Sequence, residues 1–267
     1  MHGALTVSHL NVYPVKSCRG IPLGLATLDR WGIHQDRNWM VVDADGLFVS
    51  QRTQPRLALV EPALGPERLT LRAPDMPKLE LPVTGRAGPE RQVTVWKDAS
   101  RALDQGEAAA EWFSAYLGMP ARLVRVGAGF KRAVNEVIYP AGAEVAFADA
   151  YPLLVLSRAS LDDLNSRLSV PVPMNRFRPN LVIDGCPAYA EDSWNRIRIG
   201  EVTFQVATAC VRCVMTTIDQ ATAEPSKEPL ATLATFRRSE GGVIFGRNAI
   251  HQGVGTVRVG DAVEVLA

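Results

Sequence analysis

Long apolar runs are missing from this chain. No stretch approaches the roughly 18–20 uninterrupted apolar residues that a membrane-spanning helix requires. Neither sign of charge prevails: 29 Lys and Arg stand against 28 Asp and Glu among 267 residues. No net field therefore favours nucleic acid or an anionic membrane as partner, and basic residues matter only where they gather locally. Cysteine is scarce. Cys18, Cys186, Cys210 and Cys213 are too few for a disulfide scaffold in a chain of this length, and they fit a reducing compartment better. Met1 to Leu10 has neither the basic-then-apolar layout of a secretion signal nor the Arg-rich helix of an organelle presequence. The expectation is a soluble, cytoplasmic protein without a membrane or nucleic-acid partner.

Several catalytic signatures are absent too. There is no glycine-rich dinucleotide or phosphate loop, no Gly-x-Ser-x-Gly elbow and no HExxH pair. His2, His9, His34 and His251 are scattered. These gaps argue against nucleotide-dependent, serine-hydrolase and zinc-protease chemistry.

What is present is mostly strand. Leu5 to Tyr13 alternates in short apolar steps, and Trp39–Asp43 with Leu47–Gln51 predicts a hairpin about Ala44-Asp-Gly46. Short runs follow at Arg68–Arg72, Leu79–Val83 and Gln92–Trp96. Asp104-Gln-Gly-Glu107 predicts a capping box for a helix carrying Trp112, Phe113, Tyr116 and Leu117, closed by Gly118 and Pro120. Strand returns at Arg122–Val126, and residues 127–151 suggest a long loop. Beyond it come a buried strand at Leu153–Leu156 and a helix capped by Ser160 with Leu161, Leu164 and Leu168 on one side. Strands are predicted at Asn180–Asp184, Val202–Thr208 and Val214–Ile218, then a helix from Pro229 with Leu230, Leu233 and Ala234 inward, then a closing hairpin over Thr256–Val265. The fold class is mainly β with a few short helices (α+β). A division near residues 120–130 gives segments 1–120 and 121–267.

The sharpest local feature is Cys210-Val-Arg-Cys213. Half a zinc site is one meaning, but no second pair completes it. A thioredoxin-like dithiol would open a helix, whereas the β-branched run after Cys213 favours strand. Two buried core cysteines, or one thiolate on a soft or high-valent metal with Arg212 helping to keep the sulfur deprotonated, remain open. A second feature is a scatter of phosphate-type donors at strand ends: Lys16-Ser17, Asp36-Arg37 and Arg176-Phe-Arg178-Pro-Asn180. Their weight depends on whether they converge. Lys16 as a Schiff-base lysine lacks the surrounding cofactor motif.

These phrases taken together resemble a family. Tyr13-Pro-Val-Lys-Ser17, Asp36-Arg37, Ser160 to Arg167, Phe177-Arg-Pro-Asn180, Tyr189 to Trp194, Cys210 to Thr217, Lys227-Glu-Pro-Leu230 and Phe245-Gly246 occur in the order found in MOSC proteins that carry an N-terminal β-barrel domain. Among these the chain is similar to the mitochondrial amidoxime reducing component and its bacterial relatives, from about Leu5 to Leu266. The resemblance implies an N-terminal β-barrel domain, a MOSC β-barrel domain and a molybdenum cofactor (Mo-molybdopterin) between them. Cys213 matches the metal ligand. Lys16, Ser17, Arg37, Arg178 and Asn180 match contacts to the cofactor's phosphate and pterin. Val211 and Arg212 flank the ligand, and Asp149 and Tyr151 lie where the family has further contacts. Cys186 is expected to be a small buried hydrophobe, Cys18 to pack near the cofactor entrance, and Cys210 to be structural.

The implied activity is reduction of N-hydroxylated compounds such as amidoximes and hydroxylamines, with electrons from a separate haem, flavin or iron–sulfur protein. Water or Asp219 would supply protons. The rival from another class is a carrier that handles molybdenum cofactor or sulfur on Cys213 without turnover of its own. A third possibility is a bare scaffold that binds no cofactor.

Overall fold

The computed structural model describes residues 4–84, 88–134 and 142–266. Its architecture is mainly β, with three short α-helices among the described residues: Glu107–Leu117, Arg158–Ser166 and Leu230–Phe236. No helix among them is long and apolar enough to cross a membrane.

A nine-stranded sheet forms the frame. From one edge its main path runs Val263–Val265, Arg196–Ile199, Val202–Val211, Gly242–Gln252, Leu153–Ser157, Leu181–Asp184, Thr6–Val12 and Ile21–Leu23; Arg238–Ser239 pairs off this path with Gly242–Gln252. All five residues of Leu153–Ser157 are buried, as an unbroken apolar run requires of a central strand. That strand pairs parallel with Leu181–Asp184, which pairs antiparallel with Thr6–Val12. The start of the first two and the end of the third therefore lie at one end of the sheet. The loops bearing Asp149, Arg178 and Lys16 leave from that end. Gly246 lets the neighbouring strand pass close by. Its φ is +79°, and a side chain there would lie 2.9 Å from the Val155 carbonyl oxygen.

Smaller sheets complete the molecule. Trp39–Val42, Arg122–Arg125, Asp98–Asp104 and Glu90–Val95 form one; Glu61–Leu64, Arg68–Arg72 and Leu79–Pro82 form another. The chain's two ends also interlock. Thr6–Val12 lies in the large sheet, and Leu25–Asp29 pairs with Gly255–Arg258. Pairing thus crosses the division near residue 120 in both directions, since Arg122–Arg125 pairs with Trp39–Val42.

Several local expectations are corrected. Val214–Thr217 is a 3-10 turn, not a strand, because the hydroxyls of Thr216 and Thr217 bond back to the carbonyls of Cys213 and Val214. The closing segment is no hairpin: Gly255–Arg258 and Val263–Val265 pair with different strands. Ser157 rather than Ser160 caps its helix, accepting the Ser160 N–H at 3.1 Å. Asp104 makes no capping box; it accepts from Gly106 N at 2.7 Å and pairs with Arg91 and Arg122. Leu47 and Phe48 form isolated bridges rather than a second hairpin strand, although the Asp43–Gly46 turn closes as expected. The stretch expected to be a long loop, 127–151, lies partly outside the described residues. Its described part contributes buried Phe130, Val145 and Phe147 to the core.

Candidate cofactor site

Lys16, Ser17, Arg37, Asp149, Tyr151, Arg178, Asn180, Val211, Arg212 and Cys213 all line one cavity of about 510 Å³. Every residue singled out from the sequence for cofactor contact is thereby brought together.

On the loop after Thr6–Val12, Lys16 is fixed through its backbone N–H to the Trp39 carbonyl, 2.8 Å. Its ammonium donates to the Phe147 carbonyl at 2.8 Å and pairs with Asp149. Burial lowers the Lys16 pKa against the opposing pull of Asp149. Burial works to raise Asp149, but the Lys16 ammonium, with Arg52 and the Trp96 N–H, holds it well below the usual carboxylate range.

Arg37 and Arg178 lie together on Tyr13, each guanidinium carbon 4.3 Å from the ring centroid. Arg37 pairs with Asp36 and donates to Asn180 Oδ1 at 3.0 Å. Arg178 donates to the Cys18 carbonyl at 2.7 Å. Burial pushes Arg178 down to about 10, so it stays charged at neutral pH, and pushes Tyr13 up to about 12. Asn180 ties the group to the sheet, accepting from Leu154 N at 3.2 Å and donating to the Asn11 carbonyl. Ser17, Arg37 and Arg178 have φ of +68°, +50° and +56°. Left-handed backbone at non-glycine residues is costly, and it gathers here at one cavity.

The thiol side departs from expectation. Arg212 turns away from Cys213: its Nη1 donates to Cys210 Sγ at 2.9 Å and its Nη2 to the Phe177 carbonyl at 2.7 Å. The cation at Cys213 is Arg52, whose Nη2 lies 3.1 Å from Sγ. Arg52 carries no local motif in the sequence; only the fold brings it across. Asn248 and Thr208, joined by a 3.0 Å hydrogen bond, also line the cavity unannounced. Asp219 lies outside the lining and accepts from Ala221 and Thr222 N–H groups, which lower its pKa; it is a turn residue.

All four cysteines are free. Burial raises Cys18 to about 12 and also raises Cys186, leaving both thiols protonated. Cys210 accepts from Arg212 and lines the same cavity as Cys213. Among the described residues no group of three or more His, Cys, Asp or Glu converges as a metal site, so the four-ligand zinc geometry is not formed there. A metal held by Cys213 would have to bring most of its own ligands.

The rest of the lining fits a group with an anionic end. Lys16, Arg37, Arg52, Arg176, Arg178 and Arg212 share the cavity with a single carboxylate, Asp149. Arg52 Nη1, Arg176 Nε and Nη1, and Arg212 Nε are buried without a hydrogen-bond partner. Unpaired buried donors are expensive and call for an acceptor. Cofactor-free protein should therefore melt at a higher temperature in inorganic phosphate than in chloride of equal ionic strength. By linkage, phosphate at a hundred times its dissociation constant adds about 2.7 kcal/mol. Identical melting in the two salts would mean that these cations do not converge on an anion.

A mainly β protein with a cation-lined cavity that holds Cys210 and Cys213 defines the class, and comparison with known proteins supplies the relationship. The MOSC N-terminal beta barrel domain matches residues 4–120 and the MOSC domain matches residues 142–264. The chain is 40% identical to mitochondrial amidoxime-reducing component 1 of Mus musculus, an alignment covering 98% of this chain and 82% of the mouse protein. It is 37% identical to component 1 of Homo sapiens, over 98% and 83% of the two chains, and 37% identical to component 2 of Bos taurus, over 97% and 82%. The chain belongs to the family of MOSC proteins that includes the amidoxime-reducing components.

Proposed function

We propose that this protein reduces N-hydroxylated compounds, amidoximes foremost, with a molybdenum cofactor held in the cavity and Cys213 as its protein thiolate. The observation that carries the reading is the meeting of Cys213 with six cations, three of which, Arg52, Arg176 and Arg212, have buried donors without hydrogen-bond partners. Relatives named for amidoxime reduction, similar over nearly the whole chain, support the choice of substrate.

Arg37 and Arg178, stacked on Tyr13 and held by Asn180, would grip the phosphate end through their planar forks. Lys16 and Ser17 would hold the adjoining pterin side, with Lys16 kept in place by Asp149. Cys213 would present its sulfur to the metal, and Arg52 would donate to that sulfur. When bound, the molybdenum centre supplies the two-electron redox chemistry that no side chain can. The net change takes an amidoxime, two electrons and two protons to an amidine and water. Asp149 and Asp219 are both held ionised at neutral pH, so neither rests as a proton donor, and solvent would supply the protons. Electrons enter from a separate haem, flavin or iron–sulfur protein.

The test is protein purified from a host that makes the cofactor, assayed with benzamidoxime and a chemical reductant. Bound molybdenum with benzamidine formation is the expected result. Molybdenum that dissociates readily without turnover would favour the carrier, and no molybdenum or pterin at all would refute cofactor binding.

A further inference from the structure

Trp96 has entered so far only as a donor to Asp149, yet its placement is costly. It sits at the turn between Glu90–Val95 and Asp98–Asp104 with a φ of +59°, a conformation bulky side chains rarely adopt. Trp96 is 46% exposed, whereas Trp39, Trp112 and Trp194 are buried. The ring is nonetheless held firmly. Nε1 donates to Asp149 Oδ1 at 3.1 Å, Phe48 packs against it with centroids 4.9 Å apart, and the Arg52 guanidinium carbon lies 4.6 Å from its centroid. Asp149 and Arg52 both line the cavity, and Arg52 reaches Cys213 Sγ. The exposed indole is therefore one side chain removed from the proposed metal ligand.

Its surroundings share its character. Leu47, 45% exposed, bridges to Thr94 beside the turn. Val211 and Val214, close to Cys213 along the chain, are each 52% exposed. Exposed apolar side chains thus stand beside a cavity whose charged lining is mostly cationic. Such a boundary suits an amphipathic ligand whose polar head enters while a flat apolar tail remains outside.

We propose that Trp96 is a specificity-determining residue: a platform for the planar apolar tail of an N-hydroxylated substrate whose N–O group points inward toward Cys213. The proposal rests on the reductase reading and selects, within that chemistry, aromatic over small aliphatic amidoximes. If Trp96 served only to hold Arg52 in place, its loss would affect both kinds of substrate equally.

Benzamidoxime and acetamidoxime share a head group and differ in the tail, so they separate the two roles. Loss of one aromatic contact in Trp96→Leu should raise KM for benzamidoxime about tenfold. KM for acetamidoxime and kcat for both should stay near wild type, and Trp96→Phe should recover most of the loss. Calorimetry on cofactor-free protein provides a readout independent of turnover. Benzamidoxime should bind more tightly than acetamidoxime to the wild type, and Trp96→Leu should abolish the difference while Trp96→Phe retains it. Equal KM changes for the two substrates would overturn the proposal. So would cofactor-free wild type that binds neither compound, or that prefers benzamidoxime no more than Trp96→Leu does. A protein that shows the calorimetric preference but never turns over would keep the platform and sink the reductase.

Discussion

Serine in place of Cys213 should lower benzamidoxime reduction by more than about 100-fold, since loss of a partner outside the ligand shell already costs 10–100-fold. The sulfur is the group at issue, because the local fold does not depend on it. Cys213 caps the Val214–Thr217 turn through its carbonyl, which accepts from Thr216 N at 3.1 Å and Thr216 Oγ1 at 3.0 Å. The variant should therefore fold normally and melt close to wild type. Serine is nearly isosteric, but its neutral hydroxyl is a poor ligand for a metal that prefers soft sulfur. The matched control is Cys210→Ser. Its thiol accepts from Arg212 and packs locally, so activity should remain within a few-fold of wild type. Steady-state kinetics beside thermal melting of both variants checks the pair. Equal losses would mean that the two cysteines act together, as a dithiol would.

Substitution of Arg178 by methionine should produce the second large effect, on cofactor retention. A hydrogen bond to a charged group contributes about 1.5–3 kcal/mol, so cofactor affinity should fall roughly 10–100-fold. The same change strands the Cys18 carbonyl, now bonded to Arg178 at 2.7 Å. A buried acceptor left unpaired costs about 1–3 kcal/mol, and the melting temperature should fall accordingly. Arg178→Lys keeps the charge but loses the planar fork and its stacking on Tyr13, so it should recover only part of the affinity. Molybdenum per chain after extensive dialysis, measured for all three proteins, reads the ranking. Full retention by Arg178→Met would remove this residue from the cofactor's anchor.

The division between what the sequence disclosed and what it hid follows the range of the interactions. Pro14 to Cys18, Phe177 to Asn180 and Cys210 to Cys213 are short phrases at strand ends, where loops collect binding groups, and each could be recognised locally. The mainly β character was equally legible, because period-two alternation is a local signal. Arg52 was not. Its meaning lies in contact with a sulfur 161 residues away, and nothing in its own neighbourhood marks it. Trp96 was hidden for the same reason, since exposure and tethering to Asp149 are tertiary facts. Arg212 shows a further limit: adjacency along the chain did not determine where its side chain points, and just past the end of its strand it bonds Cys210 and Phe177 instead. In Val214–Thr217, β-branching suggested strand, yet two threonine hydroxyls bonding back to the chain favoured a turn. The final Gly-Asp turn was visible, but its flanking strands found partners nearer the N-terminus and at Arg196–Ile199 rather than each other.

X-ray absorption at the molybdenum edge, comparing loaded wild type with whatever cofactor Cys213→Ser retains, addresses the ligand directly. One sulfur neighbour fewer is expected in the variant. An unchanged sulfur shell would show that the metal is held without Cys213.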